Sequence, residues 1–182
     1  MNKVVPLLSE NCSPNFTYED FISCSDSFKE NSVSNLPEEQ KTFDAISKMA
    51  NQLLEPIQKK FGEIKLTYGF CGPELQKIIK KGVYPKTDQH SGFELNKNGN
   101  LICARGGFAV DFLIPNLSSL QLARWIVDNL KFDKLYYYGD ARPIHLSQHD
   151  FPLGQIILMK FYKKRVVPRK IKRDLFFEEI DF

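Results

Sequence analysis

The sequence has four cysteines, at positions 12, 24, 71 and 103, and no two of them form a CxxC pair. A structural zinc ribbon needs such pairs, so none is written here. No apolar run is long enough to span a bilayer, and the opening stretch MNKVVPLLSENCSPN lacks the apolar core of a signal peptide. The expectation is a cytoplasmic protein with reduced thiols and no membrane partner. A formal net charge of +3 is too small to imply a nucleic-acid or membrane partner by itself. There is no internal repeat. Histidine is scarce, with three in all, so each one can be weighed singly.

What is present describes a folded domain. The 182 residues are enough for one domain around a single core, and 42% of them are hydrophobic, including fifteen Phe and seven Tyr. Charge is unevenly placed. Lys160, Lys163, Lys164, Arg165, Arg169, Lys170, Lys172 and Arg173 crowd one stretch, and Asp174, Glu178, Glu179 and Asp181 follow. Such a run can meet phosphates, which makes nucleic acid a conceivable partner for residues 160–173, but it is more often a solvated face or tail.

Residues 1–15 are polar and are expected to be poorly ordered, and 16–162 are expected to form the domain. Residues 163–182 read as a basic, then acidic, tail. Phe16 to Phe21 can start a short helix, and 22–36 read as loop. Pro37 sits well at the start of a helix. Phe43, Ile46, Met49, Ala50, Leu53, Leu54 and Ile57 then recur at three- and four-residue steps and mark one apolar face. Pro56 should kink or restart this helix, and Gly62 should end it. Residues 64–70 read as a strand and 73–81 as a short helix. Residues 93–103 read as a hairpin around Asn98-Gly99. Residues 108–114 read as a strand, and a helix over 120–130 is capped by Ser118 or Ser119. Strands are expected at 134–138, 144–147 and 155–162. This order predicts an α+β fold, with helices packed on a mainly antiparallel sheet.

Asp111 lies inside the apolar strand FAVDFLI. A bare carboxylate is costly to bury there, so it needs a cation, a metal or bonds from backbone amides. His145 sits in the apolar segment Pro143-Ile144-His145-Leu146-Ser147, as a core residue or a ligand. With His90 added, two histidines and a carboxylate make a known form of catalytic zinc site, with the fourth position left for water. His149 reads as exposed.

Several motifs resemble, in order, those of the zinc D-Ala-D-Ala carboxypeptidases and endolysin peptidases, which share their fold with hedgehog signalling domains. Asn15 to Phe21 resembles the opening segment, and Asn35-Leu36-Pro37 the next landmark. Leu53 to Ile57 with Phe61-Gly62 resembles the helix before the first core strand. Leu66 to Leu75 is similar to the strand and turn that follow. Gly107-Phe108-Ala109-Val110-Asp111-Phe112 resembles the second half of the metal motif. Trp125-Ile126 and Phe132 to Leu135 resemble the next helix and strand, and Ile144-His145-Leu146-Ser147 the last strand. The likeness covers roughly residues 15–148. It implies a hedgehog/DD-peptidase-like fold, a zinc ion and a peptide or peptidoglycan-like substrate.

Three positions depart from the family pattern. Ala104 stands where the first histidine would be, so His90, displaced by the 93–103 insertion, is the favoured third ligand and Cys103 its rival. Cys71 stands where many relatives carry a substrate-gripping Arg, and Arg105 or Arg142 can substitute. The general-base Glu is absent. Asp140, the only carboxylate in 138–145, is the candidate that takes a proton from metal-bound water, or else an acid in a Gly-Asp turn, with Glu94 in reserve. The leading expectation is a zinc-dependent hydrolase with His90, Asp111 and His145 on Zn²⁺. The alternatives are a non-catalytic binding module on the same scaffold and a hydrolase of another cytosolic substrate.

Overall fold

A computed structural model describes residues 5–31, 33–79, 89–162 and 165–178. Its first layer is helical. Tyr18–Ser23 (α1) is opened by a capping box, in which the Thr17 side chain takes the Asp20 amide and Asp20 takes the Thr17 amide. Asp26–Lys29 (α2) is a single turn capped by Ser25. Gln40–Met49 (α3) runs without a break into a π-helical turn, Ala50–Leu54, and then into Glu55–Phe61 (α4). Pro56 explains the π turn. It has no amide to donate, and the Glu55 amide reaches back five residues to the Ala50 carbonyl. The predicted apolar face of this helix is buried at every position named above.

The helix starts at Gln40, three residues later than Pro37 predicts, and a side chain from far along the chain holds the amides that lead into it. Glu94 accepts from the Glu38 amide at 3.0 Å, the Glu39 amide at 3.2 Å and the Thr42 hydroxyl at 2.7 Å. Its carboxylate therefore caps α3 and is not in reserve for catalysis. Burial pushes the Glu94 carboxyl above the usual range, against the pull of these bonds. Glu94→Ala takes the acceptor from three donors and is expected to cost about 2 kcal/mol. Urea denaturation would measure this, and metal binding by the folded protein should not change.

The second layer is a six-stranded mixed sheet in the order β1-β2-β4-β3-β5-β6. Its strands are Lys65–Tyr68 (β1), Phe108–Leu113 (β2), Lys134–Tyr137 (β3), Ile144–Gln148 (β4), Gln155–Tyr162 (β5) and Arg165–Ile171 (β6). Every neighbouring pair is antiparallel except β3 with β5, which is parallel. The fold is α+β, as expected. The remaining helices are Pro73–Ile78 (α5), Ser119–Asn129 (α6), capped by Ser118, and Arg173–Glu178 (α7). Phe108, Val110, Phe112, Leu135, Tyr137, Ile144, Leu146, Ile156 and Leu158 alternate along their strands and pack with the helices as one core. Among the described residues no helix is long and apolar enough to cross a membrane.

Three expectations are corrected. Residues 5–15 are held in place. Asn11 bridges to Thr17, Cys12 and Ser13 are buried, and Glu55 accepts from the Ser13 hydroxyl at 2.7 Å and the Asn15 amide at 2.8 Å. The 93–103 segment does turn back on itself around Asn98-Gly99, with the Asn96 amide on the Asn100 carbonyl at 2.8 Å and the Ile102 amide on the Glu94 carbonyl at 2.9 Å. It is shorter than the expected hairpin, however, and forms no strands. It closes on a single bridge, Leu95 to Leu101, with both side chains exposed. The supposed tail belongs to the fold: β6 pairs with β5 from Ile171 through Arg165, and α7 buries Phe176 completely against Tyr137. The basic composition of 166–170 suits an edge strand. Exposed Arg169, Lys170 and Pro168 discourage pairing with another chain. Lys163, Lys164, Glu179 and Asp181 lie outside the described residues.

Candidate metal centre

The sheet register builds the site. Asp111 of β2 and His145 of β4 are directly opposed partners. Their chain neighbours Val110, Phe112, Ile144 and Leu146 point into the core. Alternation therefore turns Asp111 and His145 to the face away from the helices. The same cross-strand row continues to Tyr68 on one side, where a β-bulge in β1 sets the register, and to Tyr136 on the other. Thr67 steadies β2 with a hydroxyl bond to the Asp111 carbonyl at 3.1 Å.

His90 arrives from a single 3-10 turn, Gln89–Ser91. It is 3% exposed. Its Nδ1 lies 2.8 Å from the Gly69 carbonyl oxygen, which can only accept. Nδ1 therefore carries a proton, and Nε2 is the ring atom turned toward the other two residues. Gly69 allows this approach, because a Cβ there would lie 2.1 Å from the Phe21 carbonyl oxygen. His90 is fixed on its backbone as well: its carbonyl accepts the Cys71 amide at 3.1 Å.

Three ligand-type atoms converge. His145 Nδ1 is 2.9 Å from Asp111 Oδ1 and 3.2 Å from His90 Nε2, and His90 Nε2 is 3.4 Å from Asp111 Oδ1. Tetrahedral zinc, bound at about 2.0–2.1 Å, holds neighbouring ligand atoms about 3.3–3.4 Å apart. The donor types fit zinc too, being two imidazoles and a carboxylate. The group could therefore hold a metal ion. Burial acts to raise the Asp111 carboxyl, but the two histidines outweigh it and hold it well below the usual carboxylate range. Asp111 thus carries the anionic charge that a cation needs. Its side chain is 29% exposed and that of His145 is 11% exposed, so the cluster opens to solvent on the Asp111 side. Tyr68 meets the edge of His90 at 4.6 Å between ring centroids, and Tyr136 meets His145 at 4.8 Å.

The other predicted site residues are engaged elsewhere. Asp140 is exposed and caps α6, accepting from the Ser118 hydroxyl and, at 2.9 Å, from the Leu120 amide. These bonds, that of Ser118 foremost, hold its carboxyl below the usual range. Arg105 grips Asp133 with Nε at 3.2 Å and a terminal nitrogen at 2.7 Å. Arg142 is exposed in the turn before β4. Cys103 is buried and outside the ligand group. His149, partly exposed, accepts the Phe151 amide at 3.0 Å. Nothing in the sequence singled out the Gly69 carbonyl, Gln89 or Asp133, while the run Tyr136-Tyr137-Tyr138 reads mostly as sheet packing with one Tyr available to line a cleft. For the two flanking tyrosines the signal was the alternation of β1 and β3.

Comparison with protein-family models, curated proteins and solved structures gives no match. The family likeness therefore rests on the motifs themselves.

Proposed function

We propose that this chain is a zinc-dependent hydrolase of amide bonds, related in chemistry to the D-Ala-D-Ala carboxypeptidases. The observation that carries the reading is the convergence of His90 Nε2, Asp111 Oδ1 and His145 Nδ1 within 2.9–3.4 Å at a point open to solvent. Zinc held there would supply a water acidified toward a pKa of about 7 and a Lewis acid for a carbonyl oxygen. The chain's own part is positioning. Gly69 sets the His90 tautomer, the β2–β4 register sets Asp111 against His145, and the tyrosine rings pack on both imidazoles and limit their movement. The motifs point to a peptide or peptidoglycan-type stem as substrate, and the same chemistry would serve another amide in the cytosol.

A second reading, a zinc-holding binding module without turnover, is favoured by one observation. Both carboxylates considered as the general base are committed to helix caps, Glu94 on α3 and Asp140 on α6. Zinc-loaded protein should release D-alanine from an acyl-D-Ala-D-Ala peptide, and His145→Ala should lower that rate by at least about 100-fold. Zinc bound stoichiometrically with no release from this peptide or from muropeptides would favour the module. Asp140→Ala should leave turnover within about threefold, since its bonds are those of a cap.

A further inference from the structure

Asp133 is wholly buried at the start of β3 and has no place in the metal cluster. Its carboxylate nonetheless gathers four donors: two from Arg105, the Gln89 side-chain amide at 3.1 Å, and the Leu153 backbone amide at 3.0 Å. These donors come from three segments, and each adjoins a segment that carries a metal-site residue. Gln89 immediately precedes His90. Arg105 lies in the loop that leads through Gly106 and Gly107 into β2 and Asp111. Leu153 lies in the loop that leaves β4 and His145. The Asp133 backbone adds a fourth tie, donating its amide to the Ser147 carbonyl at 2.8 Å, two residues beyond His145.

We propose that Asp133 is the positioning residue of the metal centre, acting through the Gln89 amide to fix the placement of His90 relative to Asp111 and His145. The inference rests on the metal reading above. His90 needs such a tether most, because Asp111 and His145 stand on paired strands while His90 stands on a single turn. Gln89 is suited to provide it. It is 1% exposed, and its amide nitrogen also donates to the Gly106 carbonyl at 2.8 Å, so the turn is pinned to the entry of β2. Gly107 keeps that entry close, with φ at +81° and an added Cβ only 2.2 Å from the Gln148 carbonyl oxygen. A reversed amide would set its oxygen against two acceptors, so the orientation of Gln89 is determined by its surroundings.

A merely structural Asp133 would lower the melting temperature and leave the zinc affinity of the folded protein unchanged. A positioning Asp133 changes the affinity itself. Gln89→Met keeps the side chain's length and leaves the Arg105–Asp133 pair in place while removing the tether. Zinc dissociation constants would be measured by chelator competition, well below the melting temperature, for wild type, Gln89→Met, Asp133→Asn and their double mutant. Ile57→Ala, a core variant in α4, serves as a control for lost stability. The expected result is a 10–100-fold weakening in Gln89→Met, the range seen for partners that orient ligands, with no change in Ile57→Ala. The double mutant should be little weaker than its worse parent, because both changes cut one tether. Folded Gln89→Met with wild-type affinity would overturn the proposal, as would an equal loss in Ile57→Ala. Wild type that binds no zinc would overturn the metal reading itself. Gln89→Met also cuts the bond to Gly106, so Asp133→Asn assigns the effect to Asp133, and folded Asp133→Asn with wild-type affinity would overturn the proposal. If it does not fold, Asp133→Glu, which keeps the charge for Arg105, takes its place under the same criterion.

Discussion

Replacing Asp111 with alanine should empty the metal centre. Wild-type protein is expected to carry about one zinc per chain after gel filtration, measured by elemental analysis, and Asp111→Ala close to none. The carboxylate is the only anionic member of the cluster, and its ionisation is already secured by the two histidines. Without it, two imidazoles remain, and affinity should fall by more than about 100-fold, beyond what loss of an orienting partner costs. His90→Ala should do the same. Cys103→Ala should keep its zinc, because the thiol lies outside the ligand group although it stands beside the position where the family motif expects a histidine. Zinc retained in His90→Ala and lost in Cys103→Ala would reverse the assignment. Zinc retained in Asp111→Ala would place the metal somewhere else altogether.

Phe176→Ala should destabilise the protein by about 3–5 kcal/mol, the cost of emptying a fully buried aromatic site. Phe176 has no exposed surface, and its ring meets Tyr137 and Phe177 at centroid distances of 6.2 and 6.0 Å. Arg124 of α6 ties α7 down, donating to the Phe177 carbonyl at 3.0 Å. Equilibrium urea unfolding would read the loss as a lower midpoint with little change in slope. A loss under about 1 kcal/mol would make α7 peripheral after all and restore the view of the C-terminal segment as a tail.

The amphipathic helix was legible because its signal is local. Seven apolar positions at helical spacing allow only one face to be buried, and Pro56 announced a disturbance whose form, a π turn, depends on how the backbone amides re-pair. The entry to α3 was not legible, because the residues ahead of Gln40 are held by Glu94, more than fifty residues on. The C-terminal segment was misread for a related reason. Composition reports solvation, and an edge strand is solvated on its outer side, so β6 and a loose basic tail look alike until the pairing with β5 is known.

Asp111 and His145 stood out in the sequence by themselves, each a polar group inside an apolar strand, where burial demands a partner. The sequence also determined the strands that carry them and, through the two-residue period, the face to which they point. Tertiary structure decided the rest. Strand register placed Asp111 opposite His145, and a loop-borne turn brought His90 to them with its tautomer set by Gly69. The carboxylates of Glu94 and Asp140 and the guanidinium of Arg105 went to caps and a buried ion pair. These outcomes rest on contacts between residues distant in the chain. Which donor reaches a carboxylate first depends on how whole elements pack, and that is not written in any local pattern.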